Sequence, residues 1–378
     1  MSKDVPGRSS SASALSPLKR VFDQSNPANR QLTLGLAALL LLVIAISLPI
    51  FATWTPGVDL EIPLRAASRW SSGGQPYVAS SFSETSGPGL PFLYPPWVLP
   101  LLVPIAALPR EAVLAAWLAV GAGVGVWTCR RLSVPWIAVP VVLAWPPFME
   151  GLVTGNVQLA QFAAFAALFY VPGLRWAPRS RDVASAGTAE PGGPADAREG
   201  LFAAGVGALK YTQLLPLAFL LRPRPRAAVL GAVALAVAIV AMLPLTGIGL
   251  YRDWLDQLNR AADPSWAPAG APLALLVGRP LALAATVAAV VGVLLVRGRD
   301  AGAWVGIALL VAAPSIHGYG MLFLLPALLT IRRDMAIALA VMIARYNPYA
   351  WWISIAVAAV TLAASNRFPA LRAQHPDT

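Results

Sequence analysis

The sequence predicts an all-α, polytopic membrane protein, and three observations carry that expectation. Hydrophobic residues make up 57% of the 378 and charged residues only 12%, with a mean hydropathy of +0.66, too apolar for a soluble domain of this size. The charge-free run Leu32 to Phe51 has about the ~20 residues needed to cross a hydrocarbon core of ~30 Å. Basic residues are spread through short loops between further apolar runs, which is the positive-inside pattern. That pattern accounts for the net charge of +11, so no nucleic-acid partner is expected.

Residues 1–30 read as a disordered, cytoplasmic tail whose Lys3, Arg8, Lys19, Arg20 and Arg30 flank the first helix. No small-residue cleavage site lies close after the apolar run, so this helix is expected to stay uncleaved. A hydrated stretch, Thr53 to Pro88, follows. In it, Leu60, Leu64, Ala67 and Trp70 recur at helical spacing, with Arg65 and Arg69 one turn apart on another face. An amphipathic helix at the outer membrane surface is predicted, its basic face toward lipid phosphate.

Further apolar runs are Phe92 to Leu108, Ala112 to Thr128, Val134 to Met149, Val157 to Leu174, Leu201 to Leu221, Ala227 to Leu245, Leu281 to Val296, Trp304 to Ile331 and Ala336 to Ala364. The last two are too long for one helix and are interrupted at Pro314 to Gly320 and at Arg345 to Pro348. The total is about ten to twelve spans and hemi-spans. Residues 31–365 therefore read as one transmembrane domain, with a flexible Pro/Gly/Ala/Ser-rich cytoplasmic linker at 175–200 and a tail at 366–378. Strict alternation fails at one place. Two apolar runs separate the hydrated stretch from Arg130 and Arg131 where one crossing is needed, so either the Tyr94-Pro95-Pro96 segment does not cross or the Arg pair breaks the rule.

The single Cys129 excludes an intrachain disulfide framework, and with only His317 and His375 a Cys/His metal cage is excluded as well. Lys occurs only at positions 3, 19 and 210; the Arg-dominated, Ala-rich composition suggests a GC-rich bacterial genome.

Asp59, just outside the first span, is the leading candidate for chemistry, against the alternative that it starts the surface helix and meets its positive end. Lys210 interrupts an apolar run, where an ionisable group marks a substrate or ion path unless it snorkels to water from a turn; Tyr211 and Gln213 flank it. His317, next to Tyr319 in the break Ser315 to Gly320, can bind a phosphate or sugar or shuttle a proton, or simply pack. Asn156 and Gln158 are intramembrane amides suited to substrate hydroxyls or to interhelical hydrogen bonds. The loop Tyr251 to Gly270 carries Trp254 and Trp266, either carbohydrate contacts or interface anchors. No Walker, Rossmann or zinc-protease motif is present, so energy for a synthetic reaction must arrive in the substrate.

The order Asp59, Ala66-Ala67, Gly74-Gln75-Pro76-Tyr77, Phe92-Leu93-Tyr94-Pro95-Pro96 and Leu108-Pro109 resembles the opening of glycosyltransferase family 87. Gly155-Asn156-Val157-Gln158 resembles that family's Gly-Gln-x-Asn segment with the amides exchanged, and Lys210 and Ser315 to His317 follow in the family's order. The resemblance covers roughly Asp59 to Leu325. It implies a GT-C-type bundle and an inverting transfer of a sugar, mannose in members of the family, from a polyprenyl-phosphate donor to a lipid-anchored or cell-envelope glycan acceptor. Asp59 matches the catalytic aspartate, the general base. Arg65, Arg69, Lys210 and His317 are then the candidates for the donor phosphate, and Glu61, Tyr94, Asn156, Gln158, Tyr211, Gln213 and Tyr319 for substrate contacts. No cofactor is expected; an Asp59–Glu61 divalent-cation pair is the less favoured route. The location implied is the bacterial plasma membrane, N-terminus cytoplasmic and active site extracytoplasmic. Leu60, Glu61 and Pro63 depart from the aromatic-rich family pattern, which leaves the acceptor and the sugar open. A transporter or flippase of lipid-linked saccharides would use the same basic residues and broken helices.

Overall fold

A computed structural model describes residues 27–52, 55–79, 90–170, 194–261, 270–296 and 300–367. The terminal tails at 1–26 and 368–378, most of the linker, and Asp263 and Trp266 lie outside the described residues. The described chain is α-helical; a single antiparallel bridge, Ala271 to Ile316, is the only β pairing among those residues. Four helices are long and apolar enough to cross a membrane, or five counting one bent pair. The chain is an all-α polytopic membrane protein.

The first span is α1 (Pro27–Ala52), and the predicted surface helix is α2 (Val58–Ser71). A 3-10 turn (Pro96–Val98) leads into α3 (Leu99–Ala106), which has eight residues and a length of about 12 Å at 1.5 Å per residue. That is too short to cross, so the Tyr94-Pro95-Pro96 segment stays on the Asp59 side. The return crossing is α4 (Arg110–Arg131). It starts against α2, where Arg110 Nη2 lies 3.4 Å from Glu61 Oε2 and 3.3 Å from the Pro56 carbonyl, and ends at Arg130 and Arg131. The basic pair thus sits at the end of α4 far from Asp59.

Next come α5 (Val139–Ala144), entered through a 3-10 turn (Trp136–Ala138), and α6 (Pro146–Thr154), two arms bent by 63° at Trp145. Pro146 and Pro147 open the second arm, and a proline at the first helical position favours a fresh start over continuation. After α7 (Gln158–Tyr170) the chain re-enters the described region in α8 (Pro194–Ala208). Residues 194–200, expected in the flexible linker, are instead the first turns of this helix. They are held because Glu199 is fully buried against Arg224, with Asp196 at 4.0 Å from the same guanidinium, and a buried carboxylate needs such a partner.

A 3-10 turn (Tyr211–Leu214) and α9 (Leu215–Leu220) precede α10 (Pro225–Ala261), whose helical path breaks at Gly247 shortly after Pro244. Then follow α11 (Leu273–Val277), α12 (Arg279–Leu295) and α13 (Ala301–Val311). A 3-10 stretch (Gly318–Leu324), α14 (Leu325–Leu328), α15 (Arg333–Ala344) and α16 (Pro348–Arg367) complete the chain. Both predicted interruptions of the last long runs are present.

The shorter helices α7 and α13 and the 3-10 stretch Gly318–Leu324 are largely buried, whereas the long α1 and α10 expose apolar faces. Phe165 of α7 and Phe323 of the 3-10 stretch are fully buried with rings 5.4 Å apart, edge to face, whereas Ile46 of α1 is 67% exposed and Val240 of α10 62% exposed. Apolar surface of that kind belongs against lipid. Irregular backbone at membrane depth is thereby enclosed by protein, the only place it is tolerated. A second, smaller core (Ala66, Ala67, Tyr77, Phe92 and Leu99) joins α2, α3 and the end of α10 on the Asp59 side.

Candidate active site

The first turn of α2 is pinned to the end of α6. The Gly57 N–H donates to the Val153 carbonyl at 2.8 Å, which brings Asp59 to the α6–α7 turn. That turn works because Gly155 takes a positive φ of 79°, which glycine adopts without strain. It also lacks a side chain where α2 presses: a Cβ there would lie 2.5 Å from Leu60 Cβ.

Asp59 is half-buried. Thr154 Oγ1 donates to its Oδ2 at 2.7 Å, and Asn156 Nδ2 donates to the same oxygen at 3.0 Å. Among the described residues no hydrogen bond reaches Oδ1. The residue before α2 is Gly57, which supplies no side-chain cap, and the Asp59 carboxylate is used by α6 and the α6–α7 turn instead of by its own helix. Helix capping therefore does not account for it, although the helix N-terminus still favours its charge.

From Asp59 a chain of polar contacts runs along the turn. Asn156 Oδ1 accepts from the Gln158 N–H at 2.9 Å, and Gln158 Oε1 accepts from Lys210 Nζ at 3.1 Å. Both amides are more than nine-tenths buried. Lys210 stands in an extended break between α8 and the following 3-10 turn, and Nζ lies 5.3 Å from the centre of the Tyr319 ring, within cation–π range. His317 stacks on the other ring neighbour, its centroid 5.2 Å from that of Tyr319 at an interplanar angle of 11°. The Tyr319 phenol is also hydrogen-bonded with the Asn156 side chain. Five predicted residues besides Asp59, namely Asn156, Gln158, Lys210, His317 and Tyr319, thus share one site.

Tyr94 borders it. Burial, and after it the Asp59 charge, pushes its phenol above the ordinary tyrosine range, so it stays a neutral donor. Its carbonyl accepts from Tyr77 Oη at 2.8 Å.

Other predicted residues are placed differently. Arg65 and Arg69 are exposed, on the side of α2 away from its buried Pro63, Ala66 and Ala67, and are not joined to Asp59. Glu61 pairs with Arg110 and, two residues from Asp59 on one helix, points to another side. Gln213 is buried, its N–H donating to the Lys210 carbonyl at 2.9 Å. The Tyr211 side chain lies outside the described residues.

Three participants escaped the sequence reading: Thr154, Glu150 and Tyr346. Glu150 was the detectable one, since a carboxylate beside an apolar run invites the same suspicion as Lys210. It lies one turn before Thr154 and accepts a hydrogen bond from the Tyr346 hydroxyl.

The model of glycosyltransferase family 87 matches residues 92–314. The chain belongs to glycosyltransferase family 87. No curated protein and no solved structure matches it. The matched stretch of this family 87 glycosyltransferase contains Tyr94, Glu150, Thr154, Asn156, Gln158 and Lys210, while Asp59 precedes it and His317 follows it. The chain is a membrane glycosyltransferase, and the candidate site combines a carboxylate, whose Oδ1 takes no hydrogen bond among the described residues, with an ammonium and an aromatic face.

Proposed function

We propose that this glycosyltransferase moves a sugar, mannose, from a polyprenyl-phosphate donor to a lipid-anchored or cell-envelope glycan acceptor on the extracytoplasmic face. The observation that carries the reading is the Asp59 carboxylate, held by Thr154 and Asn156 and linked through Gln158 to Lys210. The acceptor hydroxyl gives its proton to Asp59 Oδ1 as its oxygen attacks the anomeric carbon. The bond from that carbon to the phosphate oxygen breaks, and polyprenyl phosphate leaves with the electron pair. A positioned base of this kind contributes about 10²–10⁴-fold. Lys210 and His317 neutralise the charge growing on the leaving phosphate, and the Tyr319 and Tyr94 rings border the sugar.

Arg65 and Arg69, exposed on α2, are assigned to lipid headgroups at the surface instead of to the transferred phosphate. Sidedness follows from the basic flank of α1 and from Arg130 and Arg131 at the end opposite Asp59. No cofactor enters the scheme.

The test is transfer by purified protein in nanodiscs, supplied with polyprenyl-phosphate-mannose and envelope glycolipids. The reading predicts a mannosylated glycolipid of inverted anomeric configuration. A wild-type protein that moves no sugar, yet carries the donor between leaflets in proteoliposomes, would make it a flippase instead.

A further inference from the structure

Beneath Asp59 lies a second carboxylate that the transfer scheme leaves unused. Glu150 is 9% exposed, and a carboxylate so placed is expensive unless hydrogen bonds compensate it. Two do. The Tyr346 hydroxyl donates to Oε2, and the Tyr319 backbone N–H donates to the same carboxylate. The chain comes so close at Gly318 that a Cβ there would lie 2.0 Å from Glu150 Oε2 and 2.5 Å from the Tyr346 hydroxyl; only glycine leaves that approach open.

Tyr346 is itself braced. Tyr346 stands in the turn between α15 and α16, its ring 5.9 Å edge-on from Phe51 at the end of α1 and 5.6 Å from Trp351. Glu150 also touches the catalytic side through its own backbone, since Thr154 Oγ1, the donor to Asp59, lies 2.8 Å from the Glu150 carbonyl. One buried side chain thus ties α6, the His317–Tyr319 break and the α15–α16 turn together directly under the site.

We infer that Glu150 is a positioning residue for sugar transfer: its carboxylate fixes the Gly318–Tyr319 backbone under Asp59, and with it the ring that bears Lys210 and His317. A hydrophobic residue of similar size would stabilise a helix junction at least as well, so a junction alone gives no reason for a carboxylate. Holding an irregular backbone N–H at a defined height does, because that N–H has no helical partner and needs an acceptor. The catalytic consequence rests on the proposed donor, whereas the anchoring does not.

The experiment compares full-length wild type, Glu150→Gln, Glu150→Ala and Gly318→Ala in nanodiscs by two readouts. These are hydrogen exchange of the peptide covering residues 315–324, and the separate kcat and KM for polyprenyl-phosphate-mannose. Glu150→Ala is expected to speed exchange of the Tyr319 amide and to raise the donor KM, each by about 10-fold, the size of leaving one buried donor unsatisfied. Its kcat should fall by less. Glu150→Gln keeps an acceptor oxygen and should restore both readouts to near wild type. Wild-type exchange and KM in Glu150→Ala would overturn the inference, and so would a Gln variant as damaged as the Ala one. If Glu150→Ala does not fold, Gly318→Ala decides: its methyl displaces the carboxylate, so unchanged exchange and KM there would equally overturn it. Absence of transfer by the wild type would refute the donor assignment, and exchange would still decide the anchoring.

Discussion

Replacing Gly155 with alanine should cut sugar transfer by about two orders of magnitude while leaving a folded protein. The magnitude follows from the turn itself. The new Cβ would lie 2.5 Å from Leu60 Cβ, whereas carbon atoms rest at about 3.5–4.0 Å, so α2 must retreat by about 1 Å. Leu60 is the immediate neighbour of Asp59, and a displacement of about 1 Å at a catalytic group costs about 10²-fold in rate. The positive φ of 79° adds about 1–2 kcal/mol of strain for an L-residue, and overpacking adds about 1–3 kcal/mol.

Gly73→Ala separates the two effects. Its φ is 83°, and no atom would lie within 4 Å of the new Cβ, so it carries the strain without the push on α2. The assay is initial-rate transfer in nanodiscs, with the thermal transition of each variant measured in parallel. A Gly155→Ala protein that transfers sugar as fast as Gly73→Ala would refute the reasoning that this turn sets the height of Asp59.

Other substitutions probe the rest of the site. Lys210→Met, which keeps the length and removes the charge, should lower kcat/KM for the donor by about 10- to 150-fold, the worth of a charge-assisted hydrogen bond; steady-state kinetics over donor concentration reads it. Arg65→Gln and Arg69→Gln together should leave kcat within about 2-fold in detergent, as exposed substitutions do, and weaken binding to anionic vesicles by the α2 surface; a collapse of kcat would return both arginines to the donor phosphate. Arg224→Ala should destabilise the fold by an amount toward the lower end of about 3–5 kcal/mol, because Glu199 is fully buried while Arg224 keeps 27% of its side chain exposed. Thermal unfolding measures it.

The fold class was legible because lipid-facing surface is written as composition: α1 and α10 expose apolar faces that no soluble protein would carry. The interruptions at Pro314 to Gly320 and at Arg345 to Pro348 were legible from local chemistry, being breaks in apolar runs. The place where alternation failed was also informative, since it fell on the Tyr94-Pro95-Pro96 segment that does not cross.

In the site, Asp59, Lys210 and His317 stood out as ionisable groups in apolar surroundings, and the structure gathers all three. The bonds joining them were not legible. Thr154 is an ordinary threonine in sequence and matters because α2 is pinned to α6 across 95 positions. Tyr346 reaches Glu150 across 196. Helical spacing put Arg65 and Arg69 correctly on one face of α2, but which face looks inward depends on α3 and Phe92, which periodicity does not contain. Residues 194–200 read as linker because they end a Pro/Gly/Ala/Ser-rich stretch, and composition does not show that Arg224 supplies Glu199 with a buried partner.

The central claim, that the Asp59 carboxylate is the base in glycosyl transfer, is tested most directly by single-turnover transfer with wild type and Asp59→Asn at saturating donor. Asparagine keeps the shape and an oxygen for Thr154 but cannot take the acceptor's proton. The expected variant is folded, still binds polyprenyl-phosphate-mannose and transfers its sugar about 10²–10⁴ times more slowly. A variant that transfers at the wild-type rate would contradict the claim.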